Sequence, residues 1–195
     1  MSTRAVVGLV TAIAAVVFFG TLTQALWYAP ESDLQVPSAE TIPRDLPPSE
    51  EPVRIRIPKL DIDTKIQQTG VNAKGNMGVP TNYSDVAWYR HGTVPGQTGS
   101  AVIDGHVDNG LGLAGVFKRL DTLVKGDDIY VITKTGRELH FVIEEAVAYP
   151  YTAVPLEKLF SRKDDARLNL ITCGGTWIKS EKTYDERFVV YARLQ

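Results

Sequence analysis

The sequence of 195 residues contains a single cysteine, so no disulfide bond can form within the chain. It has no paired-cysteine metal pattern and no glycine-rich loop of the kind that holds phosphate groups. It also has no internal repeat. These absences argue against a disulfide scaffold or a repeat protein, and no metal or cofactor is predicted. The one thiol, Cys173, is left as either a core residue or a reactive group.

Charged residues are absent from residues 5–28, which are mostly Ala, Val, Leu, Ile and Phe. At a rise of about 1.5 Å per residue, a helix of this length crosses a hydrocarbon layer roughly 30 Å thick. Arg4 precedes the stretch, and Trp27 and Tyr28 end it where an interfacial belt would lie. The pattern predicts a single-pass transmembrane anchor in the cell membrane, with residues 1–4 cytoplasmic and the rest of the chain extracellular.

A cleaved signal peptide is the alternative interpretation of this stretch, because Thr23-Gln24-Ala25 weakly resembles a small-x-small cleavage site. The apolar run is longer than the usual signal core of about 7–15 residues, which favours an uncleaved anchor.

Residues 29–52 contain six prolines and six acidic residues against one basic residue, Arg44. Prolines remove backbone donors and like charges repel, so the segment is predicted to be an extended extracellular linker that forms no core. Removing the two basic and six acidic residues that precede Val53 leaves 19 Lys and Arg and 17 Asp and Glu in residues 53–195. That near balance gives no basic field for nucleic acid, and the length suits one domain with a full core.

The pattern of residues 53–195 predicts an all-β domain. Val53-Arg54-Ile55-Arg56-Ile57 alternates between apolar and basic residues, which predicts a half-buried strand. Pro58 interrupts it, and the alternation resumes at Leu60 and Ile62, which predicts a break or an edge position there. Further strands are predicted at 100–104, 128–134, 138–149, 167–173 and 187–194, with short helices near 115–120 and 156–160. Many short strands joined by Gly and Pro turns indicate a closed barrel or a sandwich.

The apolar strand at 168–173 is predicted to end on Cys173, where a ligand can approach the sulfur. Taken alone, such a cysteine is equally consistent with a catalytic role and with packing in the core. Side chains alternate along a strand, so Thr172 points into the core and Cys173 away from it. If the last two strands pair antiparallel through a loop at 174–186, Cys173 and Arg187 project into one surface groove.

A thiol needs a nearby base or cation to become a nucleophile at neutral pH. His106 follows a predicted strand and occupies the same kind of strand-end position as Cys173, whereas His140 lies within a strand and His91 within a polar loop. His140 is interpreted as a structural or surface strand residue, and the loop sequence around His91 suggests no obvious partner for it. The planar guanidinium of Arg187 could hydrogen-bond a substrate carbonyl or the oxyanion of a tetrahedral intermediate.

The sequence resembles the sortase family at three separated motifs. Residues 171–175, Ile-Thr-Cys-Gly-Gly, resemble its cysteine motif, residues 104–108, Asp-Gly-His-Val-Asp, its histidine motif, and residues 185–192 its final arginine strand. The order of the three motifs and the early segment 55–60 agree with the family as well. The resemblance covers nearly all of residues 53–194, and the motif forms are closest to classes F or E.

The resemblance implies a closed eight-stranded sortase β-barrel and a membrane-bound cysteine transpeptidase of a Gram-positive-type bacterium. Such enzymes cut an LPxTG-like C-terminal sorting signal of surface proteins between Thr and Gly and pass the acyl group to an amine of the cell wall or of a pilin. Carried over to this chain, Cys173 is the nucleophile, His106 the general acid and base, and Arg187 the oxyanion stabiliser. Thr172 and Gly174 are expected to contact substrate.

Asp108 is interpreted mainly as a solvated turn carboxylate, with tuning of His106 as the alternative. An exported L,D-transpeptidase is the competing enzymatic interpretation, but those enzymes have their histidine close to the cysteine, whereas His106 and Cys173 are 67 residues apart. A membrane-tethered binding module with an inert, buried Cys173 is the non-enzymatic interpretation.

Overall fold

The computed structural model describes residues 2–27, 34–36 and 50–195. Helix α1, Thr3–Trp27, contains a stretch at Thr3–Thr23 with mean hydropathy 2.4, long and apolar enough to cross a membrane. The helix therefore begins two residues earlier than predicted. Tyr28 lies outside the described residues, as do most of the predicted linker residues.

Eight strands close into a barrel in the order β1-β2-β3-β4-β7-β8-β6-β5, which confirms the all-β prediction and decides for the barrel over the sandwich. Two neighbouring pairs, β2 with β3 and β4 with β7, are parallel, and the others are antiparallel. The strands are β1 Pro52–Ile57, β2 Ile62–Thr69, β3 Val86–Tyr89, β4 Gly99–Gly105, β5 Asp128–Thr133, β6 Glu138–Pro150, β7 Ala166–Ile178 and β8 Thr183–Leu194.

Strand β1 shows how the sequence pattern becomes the barrel wall. Ile55 and Ile57 are completely buried, while Arg54 and Arg56 point outward and pair with carboxylates of neighbouring strands. Pro58 cannot donate to the ladder, so the strand ends there and a short 3-10 helix, Pro58–Leu60, follows.

Two local predictions need correction. Strand β3 was not predicted, because all four of its residues are buried and the segment has no polar alternation. The helix expected at 115–120 is a series of turns followed by a 3-10 helix at Leu120–Thr122, whereas helix α2, Leu156–Phe160, lies where it was predicted.

The outer face of β4, β7 and β8 is covered by a second apolar cluster outside the barrel. Val102, Ile171 and Val189 of these strands pack there with Leu159 of helix α2.

Leu34 of the predicted linker joins the same cluster and is only 6% exposed. Its carbonyl accepts a 2.9 Å hydrogen bond from the Met77 amide, and Gln35 pairs with Asn76 in an isolated bridge. The prediction of a linker without core contacts is therefore wrong at Leu34. One leucine within a proline-rich acidic segment gives no periodic signal, so its burial depends on a surface that only the folded barrel presents.

Candidate active site

Cys173 is a partly exposed residue in the middle of β7, not at the end of the strand as predicted. Pairing with β8 continues to the partners Ile178 and Thr183, interrupted by a bulge after Gly174. Gly175 makes this bulge with φ +75°, and a Cβ there would lie 2.1 Å from a carboxylate oxygen of Asp185. The two glycines thus redirect the strand beside Cys173 rather than end it, and the expected loop at 174–186 is mostly a hairpin.

Arg187 lies directly opposite Cys173 in the antiparallel register of β7 and β8, as the phase of the two strands predicted. The side chain is 3% exposed, which excludes a solvated strand-edge charge. Its guanidinium donates to the carbonyls of Tyr184 and Glu186, at 2.9 and 2.7 Å, and to the Thr183 hydroxyl at 2.8 Å. These bonds fix the direction of a planar cation next to the sulfur.

His106 directly follows β4 and is buried. Its Nε2 lies 3.0 Å from the Pro80 carbonyl oxygen. A carbonyl can only accept, so Nε2 carries the proton and Nδ1 is the basic nitrogen of the neutral ring. Burial lowers the pKa of His106, while the Pro80 carbonyl and the Asp108 charge act in the opposite direction. The ring is therefore neutral at neutral pH and can accept a proton.

The parallel pairing of β4 with β7 brings His106 towards Cys173. Asp104 pairs with Ile171, and the Thr172 hydroxyl donates a 2.7 Å hydrogen bond to the Gly105 carbonyl. A Cβ on Gly105 would lie 2.5 Å from the buried Phe117 ring, so a larger residue here would displace that ring. The histidine is thus placed by two strands and one buried aromatic ring.

One cavity collects the three predicted catalytic residues. It is lined by Leu34, Val79, Asp104, Gly105, His106, Val107, Asp108, Ile171, Cys173, Tyr184 and Arg187. The space that water can occupy in this cavity is about 20 Å³, enough for roughly one molecule. Leu34 is one of its walls, so a residue of the predicted linker contributes to the cavity that contains Cys173.

A second, larger cavity of about 390 Å³ is also lined by Cys173. Thr172 and Gly174 line it. The Thr172 hydroxyl is committed to the Gly105 carbonyl, so its contact with substrate, like that of Gly174, stays a prediction. The two cavities share Cys173, Val107 and Tyr184 as walls.

Asp104 was not singled out from the sequence. Its carboxyl lines the first cavity, and burial raises its pKa to about 7, although the Arg187 charge and the Gly105 amide act to lower it. The sequence does contain a signal for it, because Asp104 is a single carboxylate directly after the apolar strand segment Ala101-Val102-Ile103.

The other two histidines lie elsewhere. His140 is hydrogen-bonded to Asp128 at 2.7 Å and stacked on Tyr130, and His91 packs edge-on against Tyr89. Within residues 2–27, 34–36 and 50–195, no three His, Cys, Asp or Glu side chains are grouped closely enough to hold a metal ion.

The structure is a closed eight-stranded β-barrel in which a thiol, an imidazole and a guanidinium line one cavity. This arrangement is a candidate cysteine active site. A family model described as the sortase domain matches residues 55–195. The chain therefore belongs to the sortase family, whose members are cysteine transpeptidases.

Several solved structures share this fold. Sortase C-1 from Actinomyces oris is 21% identical, with a TM-score of 0.58, and the match covers 90% of this chain and 94% of that one. Sortase A from Corynebacterium diphtheriae is 19% identical, with a TM-score of 0.58 and coverage of 89% and 78%. A sortase D5 transpeptidase from Clostridium perfringens is 21% identical, with a TM-score of 0.55 and coverage of 74% and 79%. No curated protein matches the sequence. At these identities the matches establish the fold, and class F or E stays a prediction.

Proposed function

We propose that this chain is a membrane-anchored cysteine transpeptidase that cleaves an LPxTG-like sorting signal between Thr and Gly. It passes the acyl group to an amine of the cell wall or of a pilin. The observation that carries the proposal is the convergence of Cys173, His106 and Arg187 on one cavity of a sortase barrel. The motif forms Ile-Thr-Cys-Gly-Gly and His-Val-Asp favour class F or E within the family.

The first step is attack of the Cys173 sulfur on the Thr carbonyl carbon, with the thiol proton passing to His106. The basic nitrogen for this proton is Nδ1, since Nε2 donates to Pro80. Addition gives a tetrahedral intermediate with a negative oxygen. Arg187, fixed opposite Cys173, stabilises that charge.

Collapse of the intermediate breaks the Thr–Gly bond. His106 returns its proton to the departing glycine amine, and a thioester of the Thr carbonyl with Cys173 remains. An acceptor amine then attacks the thioester and gives up a proton to His106, which passes it to the departing Cys173 sulfur, so that an amide and the free thiol are formed. The neutral ring that burial produces is suited to the base role in both half-reactions.

The anchor is the second part of the proposal. Helix α1 tethers the enzyme to the membrane with the barrel outside, where sorting signals and acceptor amines meet. The family match sets aside the L,D-transpeptidase interpretation. The experiment must distinguish this enzyme from a membrane-tethered binding module that does not cleave peptides.

Product analysis tests the proposal. The full chain in detergent is incubated with a library of LPxTG-like peptides that varies the Leu, variable and Thr positions, together with a primary amine. We expect an amide between the Thr carboxyl and the amine, absent with Cys173→Ala. Binding of peptides without any cleaved or transferred product in the whole library would overturn the enzyme in favour of the binding module.

A further inference from the structure

One hydrogen bond connects the loop after His106 with the strand that carries Arg187. The Tyr184 hydroxyl on β8 donates to the carboxylate of Asp108, two residues after His106. Both side chains are half-buried and line the cavity that contains Cys173. Asp108 is therefore more than a solvated turn carboxylate.

Tyr184 is also linked to the other two residues of the site. Its backbone carbonyl accepts the 2.9 Å hydrogen bond from Arg187, and its side chain is a wall of both cavities that meet at Cys173. The ring is held from the far side by Trp177, edge to face, with centroids 5.2 Å apart. The phenol is thus bonded to the loop after His106, while Tyr184 lines both cavities that contain Cys173.

The charge of Asp108 acts on His106. Burial disfavours the imidazolium that forms when His106 takes a proton, and the Asp108 carboxylate favours it. The direction of that carboxylate is fixed by the Tyr184 hydroxyl. Burial and the bond to Asp108 both raise the pKa of Tyr184, so the phenol stays protonated and remains a donor.

We propose that Asp108 and Tyr184 form a positioning pair for the reaction, holding the histidine loop against the arginine strand and aiming a carboxylate at the His106 imidazolium. The inference rests on the proposed function, since it presupposes proton transfer through His106. Neither side chain is assigned a bond to substrate. Their effect is on where His106 stands and how readily it accepts a proton.

The pair predicts a specific pattern of kinetics in the full chain in detergent. Tyr184→Phe removes the bond but keeps the ring, and Asp108→Asn removes the charge. Each should lower the acylation rate constant about tenfold with little change in KM, since a hydrogen bond to a charged group is worth about that much. The double variant should be no slower than Asp108→Asn alone, because both act through one carboxylate.

A second measurement does not require a sorting peptide. The rate of Cys173 alkylation by iodoacetamide is followed against pH. The other charged or titratable groups that line the cavity with His106 are Asp104, Asp108, Cys173, Tyr184 and Arg187. We expect the ionisation assigned to His106 to move to lower pH in Asp108→Asn and, less, in Tyr184→Phe. Tyr130→Phe, stacked on His140 away from the cavity, is the matched control and should follow the wild type.

The outcomes separate the pair from the proposed function. Shifted alkylation profiles with no acylation by any peptide would support the pair and refute the transpeptidase. Superimposable profiles for all four proteins, or additive losses in the double variant, would overturn the pair whether or not peptides react. A thermal unfolding midpoint close to wild type in each variant shows that the fold is retained.

Discussion

Cys173 and Arg187 are directly opposed residues of two antiparallel strands, and both side chains point to the outer face of the barrel. Opposed residues in such a pair have Cβ atoms about 4.5–5.5 Å apart, a spacing set by backbone hydrogen bonds rather than by flexible loops. The thiol and the cation of the candidate site are thereby placed by the fold itself. His106 enters from a third strand, β4, through its parallel pairing with β7.

Substitution of the three residues should separate chemistry from folding. Cys173→Ala and His106→Ala are expected to abolish peptide turnover, while the unfolding midpoint stays near wild type. Arg187→Lys keeps the charge but loses the planar set of donors that hold it, so turnover should fall by at least tenfold. His140→Ala should retain most activity, because His140 pairs with Asp128 away from the cavity.

Initial rates measured at saturating peptide provide the test of these variants. Wild-type turnover by His106→Ala would refute the assignment of the general acid and base.

Leu34 should restrict access to the thiol from the smaller of the two cavities. It is buried against the cavity that contains Cys173, and the space left there suits only about one water molecule. Leu34→Ala removes part of a contact that is worth about 1.5–3 kcal/mol for a buried leucine. The rate of Cys173 alkylation is therefore expected to rise several-fold, as followed by intact mass.

Leu111→Ala is the matched control for access, because Leu111 is 50% exposed and does not line the cavity. Equal alkylation rates in Leu34→Ala and Leu111→Ala would show that Leu34 does not restrict the site.

Asp104 should make stability depend on pH. The pKa of its carboxyl is about 7 in the folded protein, above the ordinary value of 3.8. A raised folded pKa means that the folded state holds a proton which the unfolded chain has released. The stability contribution is complete below about pH 4 and is lost as the pH rises through 7.

Asp104→Asn cannot ionise, so its free energy of unfolding relative to wild type should increase from pH 4 to pH 8. The slope is at most about 1.4 kcal/mol per pH unit. Urea unfolding of both proteins across this range measures the difference, in which the titration of His106 cancels. A difference that stays constant with pH would show that Asp104 is ionised in the folded state throughout.

Membrane orientation has its own test. Protease added to intact protoplasts should remove the barrel and leave only α1 protected, because the flanking positive charge, Arg4, is on the N-terminal side. Permeabilised protoplasts serve as the control for intrinsic protease resistance. Full protection of the barrel in intact protoplasts would contradict the proposed topology.

The sequence was informative where one face of a strand is buried and the other is not. The strand β1 and the phase of β7 and β8 could be predicted because successive side chains of a strand point to opposite faces, so that apolar and polar residues alternate. Strand β3 could not be read this way, since Val86, Ala87, Trp88 and Tyr89 are all buried.

Long-range effects account for the remaining differences. Gly174 and Gly175 look like the end of a strand, and only the partner strand β8 shows that they form a bulge within it. Leu34 and Asp104 matter through surfaces assembled from distant segments, which local periodicity does not report. The prediction of the site residues depended on the resemblance to the family motifs more than on the spacing of residues along the strands.

The most direct test of the central claim is the mass of the enzyme during reaction. The full chain in detergent is mixed with the LPxTG-like peptide library in the absence of an acceptor amine, quenched in acid and analysed by intact mass and peptide mapping. A thioester intermediate predicts an added mass equal to the acyl fragment ending in Thr, located on Cys173 and released by hydroxylamine. A folded protein with an accessible thiol that gains no such mass with any member of the library would contradict the account.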